Sequence, residues 1–263
     1  MLSVSRSLAA TLLWVPMIIA SIVLSLWLSW QALSQVDFSY GVWYDVLGIH
    51  EHIEKYGPQN RHRRGFETTT VEERKRVFGE VVKSINHHGD GLANITYYGP
   101  PKANGALSPI DRLFHRDEVG HLQDVANLIT VFDRCAYGAM GVLLVYVALL
   151  LWRQRWLSAM SLSVADLPWW QQKPNWRNAH LCLVAIVGLL TVAVFIIGPV
   201  EVFYWLHEHI FPPDHPWFFY YQDSLMATSM KAPDLFGAIA VEWFALTALV
   251  YSLWLFLWIK VDR

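Results

Sequence analysis

The run CAYGAMGVLLVYVALLLW, residues 135–152, holds no charged side chain and is closed at each end by an arginine, Arg134 and Arg153. As a helix it would be about 27 Å long, close to the ~30 Å hydrocarbon thickness of a bilayer. Three more runs have this character: about 8–30, 178–200 and 236–259, the last interrupted only by Glu242. The chain has 263 residues, of which 54% are hydrophobic, and its 14 tryptophans suit interfacial belts better than a soluble core. The pattern predicts an all-α polytopic membrane protein with four transmembrane helices, forming a single integral membrane domain over 1–263. The first run could also be a secretory leader, since Ala32-Leu33-Ser34 loosely resembles a cleavage site. Its apolar stretch is longer than a leader needs, which favours an uncleaved anchor.

Basic residues close to the runs set the orientation. Arg6 precedes the first; Arg153, Arg155, Lys173 and Arg177 lie between the second and third; Lys260 and Arg263 follow the fourth. The segment between the third and fourth has Lys231 against Glu208, Asp214, Asp223 and Asp234. Both termini are therefore expected in the cytoplasm, with a long, mostly helical loop (about 34–134) and a short one (about 203–235) on the outer face. On this topology Cys135 and Cys182 stand at opposite ends of their spans and cannot pair.

The long loop has internal structure. YGVWYDVLGIHEHIEKYGPQ (40–59) mixes aromatic and apolar residues and should lie on the membrane surface or pack on the bundle. In TTVEERKRVFGEVVKSINHH (69–88), Val71, Val77, Phe78, Val81, Val82 and Ile85 recur at helical spacing. A turn-rich stretch with a short strand at 94–98 follows. Then Ser108 as cap, Pro109 at the first helical position and Asp111 at the third mark a helix start, expected to run on into the second span.

That helix would carry LFHRDEVGHLQDV, residues 113–125. Phe114, Asp117, His121, Val125 and Leu128 share a face, and Glu118 and Asp124 stand one turn before and after His121. Either carboxylate could accept a hydrogen bond from one ring nitrogen and raise the basicity of the other. The bland reading is a surface helix with solvated charges. In the short loop, EVFYWLHEHIFPPDHPWFFYYQDSL (201–225) has His207, His209 and His215 followed by an aromatic cluster with Trp217. Aromatics here suit an interfacial belt, while His207 would sit level with His121. All eleven histidines but His180 fall on the expected outer side. HEH at 50–52 and again at 207–209 could chelate a metal if extended, but neither is HExxH and no cysteine assists. Glu201 and Glu242, in or at the edge of spans, are functional candidates, with snorkelling to the interface as the competing explanation. A net charge of −2 and the lack of a basic patch or phosphate loop give no reason to expect nucleic acid.

LFHRDEVGHLQDVANLI resembles the E-x-x-H-x-x-D-V segment of the lipoprotein intramolecular transacylase (Lit) family. WLHEHIFPPDHPWFFYYQDSL resembles that family's H-x-x-x-F, W, D-x-L segment, here His207, Phe211, Trp217, Asp223 and Leu225. EVVKSINHHGDGL is similar to its pre-loop helix. The family pattern places a proline soon after D-x-L; here Met230 stands near that position and Pro233 follows. The resemblance implies an acyltransferase of the bacterial cytoplasmic membrane, without cofactor or metal, acting on diacylated lipoproteins among membrane lipids. It would move the sn-2 acyl chain of the diacylglyceryl group to the α-amino group of the N-terminal cysteine. It implies His121 and His207 as the catalytic pair; Glu118 or Asp124 is expected to orient His121, with Asp223 and Trp217 in support. Rival classes are a metal-binding or sensor membrane protein and a non-catalytic assembly factor. A disulfide oxidoreductase lacks the outer cysteine pairs it would need.

Overall fold

The computed structural model describes residues 2–160 and 176–261; Lys173 and Arg263, two of the orienting basic residues, lie outside them. The chain is mostly helical. It starts with α1 (Leu2–Ser34) and continues through α2 (Tyr40–Val46), α3 (Ile49–Tyr56) and α4 (Val71–Ile85). A two-stranded antiparallel sheet, β1 (Thr96–Tyr98) on β2 (Pro109–Arg112), precedes α5 (Arg116–Met160). Then come α6 (Trp176–Ile197), α7 (Pro199–Ile210), the short α8 (Leu225–Ser229) and α9 (Asp234–Val261). Three stretches are long and apolar enough to cross a bilayer: Trp14–Ser34, Arg116–Trp156 and Asp234–Leu257. A fourth is present if Leu183–Ile197 and Pro199–Ile210 form one bent span.

The 41 residues of Arg116–Trp156 would make a rod of about 60 Å, twice the hydrocarbon thickness. Its charges lie toward its two ends: Arg116, Asp117, Glu118, Asp124, Asp133 and Arg134 in the first half, and Arg153 and Arg155 in the last turn. Between them the uncharged 135–152 is by itself about 27 Å long, close to the hydrocarbon thickness, and the charged turns before it lie outside that run.

The described residues form two compact units. One holds those of 1–25, 134–203 and 251–263, with large apolar side chains such as Phe195, Ile196 and Leu189 exposed along its helices. The other holds 26–133 and 204–250 and contains a buried apolar core. Phe38, Tyr40, Tyr44, Ile49, Ile53, Val77, Phe78, Val81, Leu113 and Leu122 are buried together there. Helix α4 forms as its apolar spacing predicts, capped by Thr70, whose hydroxyl accepts from the Glu73 N–H at 3.2 Å. Tyr40 stacks on Phe78 at 3.9 Å, which fixes α2 against α4. Arg74 is buried with four partners: Thr69 Oγ1, Tyr44 Oη, His50 Nδ1 and the Glu67 carbonyl. Indole N–H groups tie this unit together. Trp27 donates to Asp133 at 2.7 Å, Trp30 to Asn86 at 2.8 Å and Trp43 to Glu242 at 3.2 Å.

Two expectations need correction. Residues 108–112 do not start a helix. Pro109–Arg112 pairs with Thr96–Tyr98, and the Leu113 N–H donates to the Ile95 carbonyl at 2.7 Å. A proline tolerates this edge position, and pairing outweighs the local capping pattern. The third helix also does not run straight to Val200. It stops at Gly198, whose φ of 108° no helix accommodates, and turns by 99° into α7, with Pro199 at its first position.

Candidate active site

Helix α5 starts at Arg116 because His115 caps it. The Asp117 N–H donates to His115 Nδ1 at 3.2 Å, and Glu118 reaches back to accept the His115 N–H at 2.9 Å. This is a capping box with histidine in the place of serine. His115 Nε2 lies 3.0 Å from the Asp223 carbonyl, which can only accept. With Nδ1 accepting and Nε2 donating, both ring nitrogens are engaged.

Glu118 is fully buried. Besides the His115 N–H it accepts from Ser224 Oγ at 2.6 Å and from the Met226 N–H at 2.8 Å. Burial pushes its carboxyl pKa up, against the pull of these donors. Ser224 in turn caps α8, accepting from the Ala227 N–H at 2.9 Å. Glu118 thus pins the start of α8 to the first turn of α5.

One turn further along, His121 is 7% exposed. Its ring lies 4.9 Å from Phe211, 6.0 Å from His207 and 6.1 Å from Phe219, centroid to centroid. His207 lies 5.2 Å from Phe211 and 5.0 Å from Trp217. Phe211 follows His207 by four residues on or at the end of α7, so the two share a face and both meet His121. Two imidazoles therefore stand together in an aromatic enclosure. Burial lowers the His121 pKa to about 4, helped by the charge His207 can carry and opposed by Asp124. The ring is neutral at physiological pH, and its Nδ1 is buried without a hydrogen-bond partner among the described residues.

The expected hydrogen bond from a His121 ring nitrogen to Glu118 or Asp124 is not made. Glu118 is occupied by the three donors above, and Asp124 pairs with His215 Nδ1 at 2.6 Å. That carboxylate holds the His215 pKa above its ordinary value. Trp217 stands against His207, as its place in the motif suggests. Asp223 is tied elsewhere: its carboxylate accepts from Arg61 at 3.0 Å while its carbonyl receives His115. Glu242 accepts from Ser39 and Trp43, and Glu201 belongs to the other unit. Both HEH triplets are helical, which turns their two rings to different sides. His209 stacks on Trp205 at 4.4 Å, and His52 packs on Tyr221 at 4.4 Å. Among the described residues no three His, Cys, Asp or Glu side chains are grouped to hold a metal. Cys135 is a free thiol.

Sequence reasoning missed the roles of His115, Ser224, Phe219 and His215. His115-x-x-Glu118 is a readable capping signal; the others depend on contacts across about a hundred residues of chain.

No curated protein and no solved structure matches the chain. The model of the lipoprotein intramolecular transacylase family, Lit, matches residues 8–228, which include the capped start of α5, both imidazoles and the aromatic segment between α7 and α8. The chain belongs to the lipoprotein intramolecular transacylase (Lit) family.

Proposed function

We propose that this protein moves the sn-2 acyl chain of a diacylglyceryl-modified lipoprotein onto the α-amino group of the same N-terminal cysteine. The product is a lyso-form lipoprotein. The observation that carries this reading is the His121–His207 pair, 6.0 Å apart inside the enclosure of Phe211, Phe219 and Trp217. An intramolecular transfer needs no enzyme nucleophile, because the substrate brings both the amine and the ester. The amine attacks the ester carbonyl, an amide C–N bond forms, and the ester C–O bond to glycerol breaks. One proton leaves nitrogen and one reaches the glycerol oxygen, a task suited to two imidazoles. His121, neutral and held so by burial, takes the proton from nitrogen. His207 supplies one to the departing oxygen. A positive charge on His207 opposes one on His121, so the pair favours one base and one acid. Holding amine and ester in contact replaces a slow bimolecular aminolysis, an advantage worth about 7–11 kcal/mol in well-oriented systems.

On this reading the whole chain is one integral domain of the bacterial cytoplasmic membrane, with four spans and both termini inside. Arg6, Arg153, Arg155 and Lys260 at the inner ends support that orientation. The site then faces outward, at the depth of the ester. Glu118 and Trp217 support it by fixing α5 and lining the enclosure; Asp124 and Asp223 act on the segment that covers it.

The test is to express the protein with a diacylated lipoprotein and to analyse the N-terminal peptide by mass spectrometry. One O-linked chain and one amide-linked chain are expected. Two O-linked chains and a free amine, with folded protein present in the membrane, would overturn the proposal.

A further inference from the structure

His121 is almost fully covered, yet a substrate must bring an ester and an amine to within about 3–3.5 Å of the reacting groups. Its own helix cannot withdraw, because Leu122 and Ala126 beside it are buried. The cover comes from the chain between α7 and α8, residues 211–224, which places Phe211 and Phe219 on the ring.

The two ends of this strap are fastened very differently. Near residues 222–224 the ties are many. The Arg61 N–H donates to the Gln222 carbonyl at 2.8 Å, the Arg61 guanidinium holds Asp223 at 3.0 Å, and His115 Nε2 donates to the Asp223 carbonyl at 3.0 Å. Beneath them Ser224 is anchored on buried Glu118 at 2.6 Å. Between 212 and 219, among the described residues, a single hydrogen bond leaves the strap: His215 to Asp124, at 2.6 Å. The His215 side chain is 45% exposed, so water competes for this bond. Pro212, Pro213 and Pro216 have no N–H to give up, and the His215 N–H bonds locally to the Pro212 carbonyl. Ring contacts, Trp217 with Tyr204 at 5.7 Å and with His207 at 5.0 Å, seat the strap without locking it.

We propose that residues 211–224 form a gate over the imidazole pair, hinged where Glu118 anchors Ser224 and closed by the His215–Asp124 clasp. The two carboxylates that flank His121 thus fasten its cover at both ends. Release of the clasp lifts Phe219 and Trp217 from the rings and admits the lipid-modified peptide; reclosure excludes water. This rests on the transacylase reading only in taking His121 as the group that a substrate must reach.

The experiment uses full-length protein in which Cys135 and Cys182 are replaced by Ser and Asp124→Cys and His215→Cys are introduced. The two thiols are bridged with a short bis-methanethiosulfonate reagent. Access is read as the rate at which diethyl pyrocarbonate modifies His121, by mass spectrometry of its peptide. Bridging should slow modification at least tenfold, and reductive cleavage of the bridge should restore it. Equal rates in bridged and unbridged protein would overturn the gate. In the otherwise native chain, Asp124→Asn should speed His121 modification several-fold, and an unchanged rate there overturns it as well. Neither rate reads acyl transfer, so the gate can fail while the transacylase reading stands. The lipoprotein assay on the native chain decides the latter.

Discussion

Asp124 holds His215, ninety-one positions further along the chain, at 2.6 Å, and leaves His121 on its own helix without a bond from it. The imidazole pair is therefore positioned by packing rather than by a carboxylate on the ring. Phe211, Phe219 and Trp217 set its place, and burial sets its charge.

His121→Ala and His207→Ala should each lower lipoprotein conversion by about 10²–10⁴. Mass spectrometry of the lipoprotein N-terminus reads this directly. Conversion within a factor of a few of wild type in either variant would remove that imidazole from the chemistry.

The depressed His121 pKa makes stability depend on pH. Between its ordinary value of 6.5 and the folded value of about 4, the unfolded chain binds a proton there that the folded chain refuses. Stability should fall as pH falls through this window, by about 3 kcal/mol once both steps are complete. Thermal unfolding in detergent from pH 7 to 4 checks it. His121→Gln should flatten this part of the profile, and an identical slope in the variant would contradict the assignment.

His215 behaves in the opposite sense. Its pKa is raised by Asp124, so the clasp is intact at low pH and weakens as pH rises through the folded value. Side-chain NMR of labelled histidine should place the His215 titration above 6.5 in the wild type. Asp124→Asn should bring it back towards the ordinary value; no movement would mean that the pair does not form in solution.

Replacing Glu118 should destabilise the fold. Glu118→Ala leaves Ser224, the Met226 N–H and the His115 N–H without their acceptor, a loss of about 3 kcal/mol. Glu118→Gln should cost less, since its oxygen can still serve Ser224 and Met226. Unfolding curves that put the two variants level would show that the charge, not the acceptor geometry, matters.

Gly198 should resist substitution. Its φ of 108° is one that side chains rarely adopt, and an added Cβ would strike the Glu201 carboxylate. Gly198→Ala should cost about 1–3 kcal/mol through backbone strain. A Tm equal to wild type would show that the bend relaxes freely.

Much of this was legible in the residues. The long apolar helices follow from runs poor in charge, and α4 from the spacing of its valines and Phe78. The face expected for His121 does not hold, since Phe114 precedes α5 and Leu128 is exposed while Glu118, Leu122 and Ala126 are buried. What local pattern could not show is which distant chain would claim each polar group. Ser108-Pro109 reads as a helix start until Thr96–Tyr98 is there to pair with it. Glu118 and Asp124 read as partners of His121 until Ser224 and His215 arrive from the far loop. The break after α6 was within reach, since a Gly-Pro pair seldom continues a helix.

The aromatic enclosure has a further consequence. An imidazole that can activate an amine can equally activate water, and an ester in reach of both would be divided between amide and free fatty acid. Phe211 and Phe219 pack on the His121 ring and Trp217 on His207, and the His121 Nδ1 is buried away from solvent. The fidelity of such a site, the fraction of acyl chains transferred rather than lost, is then a matter of side-chain volume at these three positions.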